Sequence, residues 1–246
     1  MLQTHTAIFY THNEIDELVL KASLNYFKNM VFAKNLPLKT KGIVVSCKPV
    51  TFLLEMEEDM SLITNVIAPE SIRNLGHLSI IEKITLGMDC FPSDFVSLHE
   101  HDVLYPQDYL VICQELLLEH TNLFDYAVYN RILGVNRTGY VDRIMNDFPL
   151  SCTSYSSEVL KSHLLAKRQE IQKNGGWCYL EPGYGGSNGD HLKRLIMGAA
   201  CVHPLIHINM NNTSNNHHFT NHYLTYEPIS DRGFTEWPGN LSHLFT

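Results

Sequence analysis

Short apolar runs alternate with stretches of helical spacing through the first hundred residues. Ala7-Ile-Phe-Tyr is an apolar run that ends in the polar turn Thr11-His-Asn, and it predicts a strand. From Glu14 to Asn29 the apolar residues Ile15, Leu18, Val19, Ala22, Leu24 and Phe27 recur at roughly helical spacing. Asn13 or Thr11 is the expected cap, and Glu14, Asp16 and Glu17 fill the first turn, where the helix dipole favours acids. Gly42-Ile-Val-Val-Ser predicts a second strand, broken by Pro49. Strand, helix and strand within about forty residues make a βαβ unit and imply a parallel pair.

A second helix is expected over Asn74–Gly87, and the apolar segment Cys90–Val96 reads as the strand after it. Pro106 is followed by a helical pattern over Asp108–Leu118, and Phe124–Leu133 reads as a strand. Ser156–Lys173 is amphipathic, with Val159, Leu160, Leu164, Leu165 and Ile171 apolar and Lys161, Lys167, Arg168 and Lys173 basic. Gly175-Gly176 ends that helix. Trp177–Gly189 is a loop rich in glycine and aromatics, Asp190–Ala200 reads as a helix, and Pro204-Leu-Ile-His-Ile-Asn as a last strand. Asn209–Asn216 is almost wholly polar, and an aromatic, loop-like tail follows. There is no internal repeat and no linker long enough to separate independent domains. The expected fold is α/β: a Rossmann-related, mostly parallel sheet flanked by helices. It is a single domain over 1–246, with a nucleotide-binding half at 1–110 and an acceptor half at 111–246.

Composition narrows the setting. Six scattered cysteines without a C-x-x-C pair suit buried, reduced thiols and a cytoplasmic location. No signal peptide is evident at the amino terminus, and no run of about eighteen apolar residues predicts a membrane span. The formal charge of −8 argues against a chain coated in positive potential, although a local basic face suffices for a transient encounter with nucleic acid. Of fourteen histidines, five (203, 207, 217, 218 and 222) cluster late in the chain.

The densest chemistry is the acid-x-acid triplet Glu100-His101-Asp102, with Tyr105-Pro106 turning the chain just beyond it. Many short acidic triplets are solvated turns. At the end of a parallel strand, however, they stand where open α/β sheets bind ligands. Two carboxylates there can hold a hard divalent cation together with water and a phosphate-bearing substrate.

Four segments carry a family resemblance: Ile8-Phe-Tyr-Thr-His-Asn; Val45-Ser-Cys-Lys-Pro-Val; Lys83-Ile-Thr-Leu-Gly-Met running into Val96-Ser-Leu-His-Glu-His-Asp-Val-Leu-Tyr-Pro; and His217-His-Phe-Thr. In these the chain resembles the glycosyltransferases with a GT-A-like fold of bacteriophages and bacteria, including phage enzymes that glycosylate modified cytosines in DNA. Glu-His-Asp stands where nucleotide-sugar glycosyltransferases of this type carry aspartate-x-aspartate. The likeness covers about residues 7–110 and, more loosely, 203–226. Lys83 departs from a family glutamine, and the polar insert Asn209–Asn216 lengthens the path to the late histidine.

The resemblance implies a UDP-sugar donor, a divalent metal on Asp102 and a histidine ligand from the carboxy-terminal region. His217 is the first choice and His222 the next, with His207 and His218 also open. A histidine ligand favours Mn2+ over Mg2+. Glu100 would orient a ribose or a metal-bound water, and the side chain of His101 would point to the opposite face of the strand. Thr11, Asn13, Ser46 and Lys48 are the expected donor-binding residues, with Thr11 offering a backbone amide to the base and Lys48 facing the diphosphate. Glu181 and Asp190, flanking the glycine loop, are the candidate catalytic bases of an inverting reaction.

The expected activity is metal-dependent transfer of glucose or arabinose to 5-hydroxymethylcytosine in double-stranded phage DNA. Lys161, Lys167 and Arg168 are the candidate DNA contacts, although a charged helix face is more often simply solvated. Two alternatives stand beside this reading. One is transfer to a surface glycan or protein. The other is a sugar-nucleotide- or metal-binding module without catalysis.

Overall fold

Thr4–Tyr10 forms strand β1, buried along nearly its whole length, and the rest of the main sheet is laid out around it. The computed structural model describes residues 3–51, 62–119, 126–130, 132–136, 139–143, 150, 153–176, 195–199 and 205–208. Beside β1 lie β2 (Lys39–Ser46) on one side and β4 (Phe95–Glu100) on the other, both parallel to it. Strand β3 (Ile63–Ile67) extends the sheet parallel to β2. A strand covered on both faces must be apolar at every position, and Ala7-Ile-Phe-Tyr obeys that rule. Odd and even positions then go to different layers. Ala7, Phe9, Val44 and Phe95 join one core cluster, while Ile8, Tyr10, Ile43, Val45, Val96 and Leu98 join the other.

The first layer is built by α1 (Glu17–Val31) and α3 (Tyr109–Glu119). Helix α1 buries Val19, Leu20, Leu24, Phe27 and Val31 on one stripe. Asp16 caps it by accepting from the Leu18 amide, about one turn later than the sequence suggests. Asn13 does not cap it; that residue lies in a loop with φ of 63°. The second layer is built by α2 (His77–Cys90) and α4 (Ser157–Lys173). Helix α2 sits tight on β1: a Cβ on Gly87 would lie 2.9 Å from Ile8 Cγ2. Helices α2 and α4 run antiparallel, as the Arg168–Glu82 ion pair and the approach of Gly176 to Gly76 show.

In the later chain the helix expected over Ser156–Lys173 and the last strand are found, at Ser157–Lys173 and Leu205–Ile208, but other segments depart from the reading of their pattern. The expected strand Phe124–Leu133 is two strands, β6 (Tyr126–Asn130) and β7 (Ile132–Asn136), which lie in different sheets. The helix expected over Asp190–Ala200 is corrected by strand β10 (Leu195–Ala199), which pairs parallel with β6. A short apolar run has no period to separate helix from strand, and the free edge of β6 decides the matter. Strand β9 (Ser154–Ser156) bridges β4 and β6, antiparallel to both. The main sheet therefore runs β10-β6-β9-β4-β1-β2-β3, mostly parallel.

A second sheet of four strands is ordered β5-β11-β7-β8, from β5 (Val103–Leu104), β11 (Leu205–Ile208), β7 and β8 (Gly139–Arg143). The chain passes from one sheet to the other in the turn between β4 and β5, which is His101-Asp102. Among the described residues no helix is long and apolar enough to cross a membrane.

Candidate functional site

Every strand of the β3-β2-β1-β4 block delivers its carboxyl end to the same edge, and the acid triplet sits there. Glu100 closes β4 opposite Tyr10 at the end of β1. The Tyr10 phenol donates to Glu100 Oε1 at 2.6 Å, and the Glu100 amide donates to the Tyr105 hydroxyl at 2.9 Å. Burial raises the Tyr10 phenol well above its ordinary range, and the Glu100 charge raises it further, so Tyr10 remains a proton donor.

Asp102 is held from the other sheet. The Ile208 amide donates to its carbonyl at 2.7 Å, and β11 pairs His207 with Val103. That register sets His207 Nε2 3.1 Å from Asp102 Oδ2, with both residues almost wholly buried. Asp102 Oδ1 is buried and has no hydrogen-bond partner among the described residues. Burial pushes the Asp102 carboxyl up. The His207 ring, through its charge and hydrogen bond, and the His101 ring pull it the other way and leave it below the usual carboxylate range.

Between the two acids, His101 packs over the end of β1. Its ring meets His12 edge-on with centroids 4.5 Å apart, and its Nδ1 lies 3.4 Å from the Tyr10 carbonyl. Burial lowers both rings, His12 to about 4, so both are neutral imidazoles at neutral pH. Lys83, on α2, is buried within electrostatic reach of the two rings.

The expected donor residues build the loops more than they line them. The Thr11 amide is already donated to the Val45 carbonyl, which corrects its expected role toward a base. Its hydroxyl accepts from the Asn13 amide. Asn13 Oδ1 accepts from the amides of Cys47 and Lys48 at 2.8 and 3.0 Å, tying the end of β1 to the end of β2. Ser46 is buried and accepts from Asn65 at 2.8 Å. Lys48 is exposed at this edge.

On α4 the three candidate DNA contacts separate. Lys161 is exposed, Lys167 is 4 % exposed and paired with Glu170, and Arg168 is paired with Glu82. The candidate bases Glu181 and Asp190 and the candidate ligands His217 and His222 lie outside the described residues. Sequence reasoning did not assign Tyr10 a role, and it placed His207 behind the later histidines. The signal for Tyr10 was its position as the last residue of β1, level with Glu100 once β1 and β4 are neighbours.

No family model matches the chain, and no curated protein matches its sequence. Solved structures do match its fold. The 1–349 fragment of S. aureus TarS, solved with UDP-GlcNAc, aligns with a TM-score of 0.50 at 13 % identity over 85 % of this chain and 60 % of the fragment. GalNAc-T7, solved with UDP, GalNAc and Mn2+, aligns with a TM-score of 0.51 at 7 % identity over 85 % of this chain and 44 % of that one. The chain thus spans less than two thirds of each neighbour. The fold shared with these neighbours is the GT-A fold, a mostly parallel α/β sheet flanked by helices in one domain.

Proposed function

We propose that this chain transfers a sugar from a UDP-sugar donor with the help of a divalent cation at Asp102. The carrying observation is the Asp102–His207 pair: a buried carboxylate at the carboxyl edge of the sheet, with one oxygen beside an imidazole nitrogen and the other without a hydrogen-bond partner among the described residues. An oxygen and a nitrogen donor together suit Mn2+, with Mg2+ the poorer match. Among the described residues no group of three or more His, Cys, Asp or Glu side chains could hold a metal. Asp102 and His207 would therefore act as two protein ligands and leave positions for donor oxygens and water. His217 or His222 would extend that set. The cation, when bound, supplies positive charge to the diphosphate as it leaves.

The chain's own residues have separable tasks. Glu100 faces the donor from β4. The clamp of Asn13 on Cys47 and Lys48 fixes the two loops that flank the nucleotide, and Lys48 brings a positive charge to the diphosphate side. Glu181 or Asp190 would take the proton from the acceptor hydroxyl if the reaction inverts. For the acceptor we propose the hydroxymethyl group of 5-hydroxymethylcytosine in DNA. This reading is supported by the likeness of the Val96–Pro106 and Lys83–Met88 segments to phage enzymes. It is not supported by α4, where Lys167 and Arg168 are paired with acids.

The test is incubation with Mn2+, a panel of UDP-sugars and two oligonucleotides, one carrying 5-hydroxymethylcytosine and one not, read by intact mass. A sugar-sized gain on the modified strand alone, lost in Asp102→Asn, supports the whole reading. Metal-dependent UDP binding without a gain on DNA overturns the acceptor and moves it to a glycan or protein. Absence of any UDP binding overturns the donor as well.

A further inference from the structure

The two acids of the site are held by different means. Asp102 is fixed by a strand of the second sheet, whereas Glu100 is fixed inside the main sheet by two tyrosines. The Tyr105 hydroxyl receives the Glu100 amide, and the Tyr105 ring is itself fully buried against His99, with centroids 4.5 Å apart. That contact sets the backbone. The side chain is set by Tyr10, whose 2.6 Å bond to Oε1 spans two adjacent parallel strands at one level. Tyr10 is only 4 % exposed, with its ring packed in the layer that includes Ile8, Ile43, Leu98 and α2. The phenol therefore has little freedom to move away from the carboxylate.

A glutamate at a strand end has three side-chain torsions to fix before it can receive a ligand. Fixing them in advance lowers the cost of binding. An ionised carboxylate accepts hydrogen bonds only, so its natural partner at the nucleotide end of a donor is a pair of hydroxyls.

We propose that Tyr10 is a positioning residue for donor recognition: it holds the Glu100 carboxylate in the orientation that receives the ribose hydroxyls of the nucleoside diphosphate. This rests on the reading of the chain as UDP-sugar-dependent. Tyr10→Phe removes one oxygen and keeps the ring in its place in the core, so the fold is retained and the effect falls on Glu100.

The experiment compares UDP with 2′,3′-dideoxy-UDP by calorimetry in Mn2+, on the wild type, Tyr10→Phe, Glu100→Gln and the double variant, with thermal unfolding of each. The wild type should prefer UDP by roughly ten- to hundredfold, the scale of hydrogen bonds to a charged group. Tyr10→Phe should lose most of that preference at an unchanged unfolding temperature. Adding it to Glu100→Gln should change nothing further. A purely structural role would weaken both nucleotides equally and lower the unfolding temperature. Full discrimination retained in Tyr10→Phe, or additive losses in the double variant, overturns the proposal while leaving the UDP reading intact. Failure of the wild type to bind UDP overturns both.

Discussion

His207 and Asp102 are 105 positions apart in sequence and 3.1 Å apart in space, and both side chains are almost wholly buried. Removing either partner leaves the other buried without its counterpart. Asp102→Asn keeps the volume and loses the charge. It should reduce transfer by about 10²- to 10³-fold, the scale for removing one charge-stabilising group from a reaction site. His207→Gln should weaken Mn2+-dependent UDP binding while metal-free nucleotide binding stays within about twofold. Calorimetry with and without Mn2+ reads both.

Two histidines in the main sheet respond to acid. His5 takes a hydrogen bond from Gln114 Nε2 at 2.7 Å, and His99 lies 2.7 Å from the Ser97 hydroxyl. Burial lowers His5 to about 3 and His99 well below its ordinary value. The unfolded chain takes up protons at both rings as pH falls through about 6.5, and the folded chain does not. Their contribution to stability is therefore complete above that pH and declines below it, down to about 3 for His5. Urea midpoints measured from pH 7 to 4.5 should fall steadily, with a limiting slope of about 1.4 kcal/mol per pH unit for each histidine.

Gly87 tests the contact between α2 and β1. In Gly87→Ala the new methyl meets Ile8 Cγ2 at 2.9 Å and Cδ1 at 3.1 Å. The expected loss is about 1–3 kcal/mol, seen as a lower urea midpoint at constant m. Combined with Ile8→Ala, the loss should be less than the sum of the two, because the second change clears the space the first requires.

Asn13 separates loop position from fold. Asn13→Ala loses the three side-chain bonds to the β2 loop, two accepted by Oδ1 and one donated by Nδ2 to the Lys48 carbonyl, and places alanine at a φ of 63°. Donor KM should rise about tenfold. Asn13→Asp keeps an acceptor for the Cys47 and Lys48 amides and should recover most of the loss. Steady-state kinetics of the pair decide whether the clamp acts through the loops.

The basic residues of α4 should part company under charge reversal. Lys167→Glu puts a second carboxylate beside Glu170 in a buried place, and should cost on the order of 2–4 kcal/mol. Lys161→Glu lies on the surface and should stay within about 0.5 kcal/mol of the parent. Thermal unfolding distinguishes them. Loss of DNA use in Lys161→Glu at unchanged stability would return DNA contact to this helix.

The first hundred residues were legible, β3 apart, because most elements there carry their own signal. β1 and β2 each contain a short apolar run, α1 has a stripe, and Glu100-His101-Asp102 stands at a strand end whichever way the neighbours fall. In the second half α4 and β11 were legible, but the other strands were less so, since they are three to five residues long and are defined by partners far away in sequence. Leu195–Ala199 is a strand because β6 offers an edge, not because of a period of its own. His207 could be recognised only through the β5–β11 register, which is antiparallel and spans about a hundred residues. Tyr10 was hidden for the opposite reason: as an aromatic at the end of a core strand it looks like packing, and its hydroxyl matters only once β4 is placed beside β1.

The docking of β11 against the two-residue strand β5 joins distant parts of the chain through only two paired positions. Such a seam can open while the main sheet, with its longer ladders, stays closed. Catalytic competence would then have its own melting point, below that of the fold. A preparation could keep its full circular dichroism spectrum and yet be inactive, because one short strand has come away and taken His207 with it.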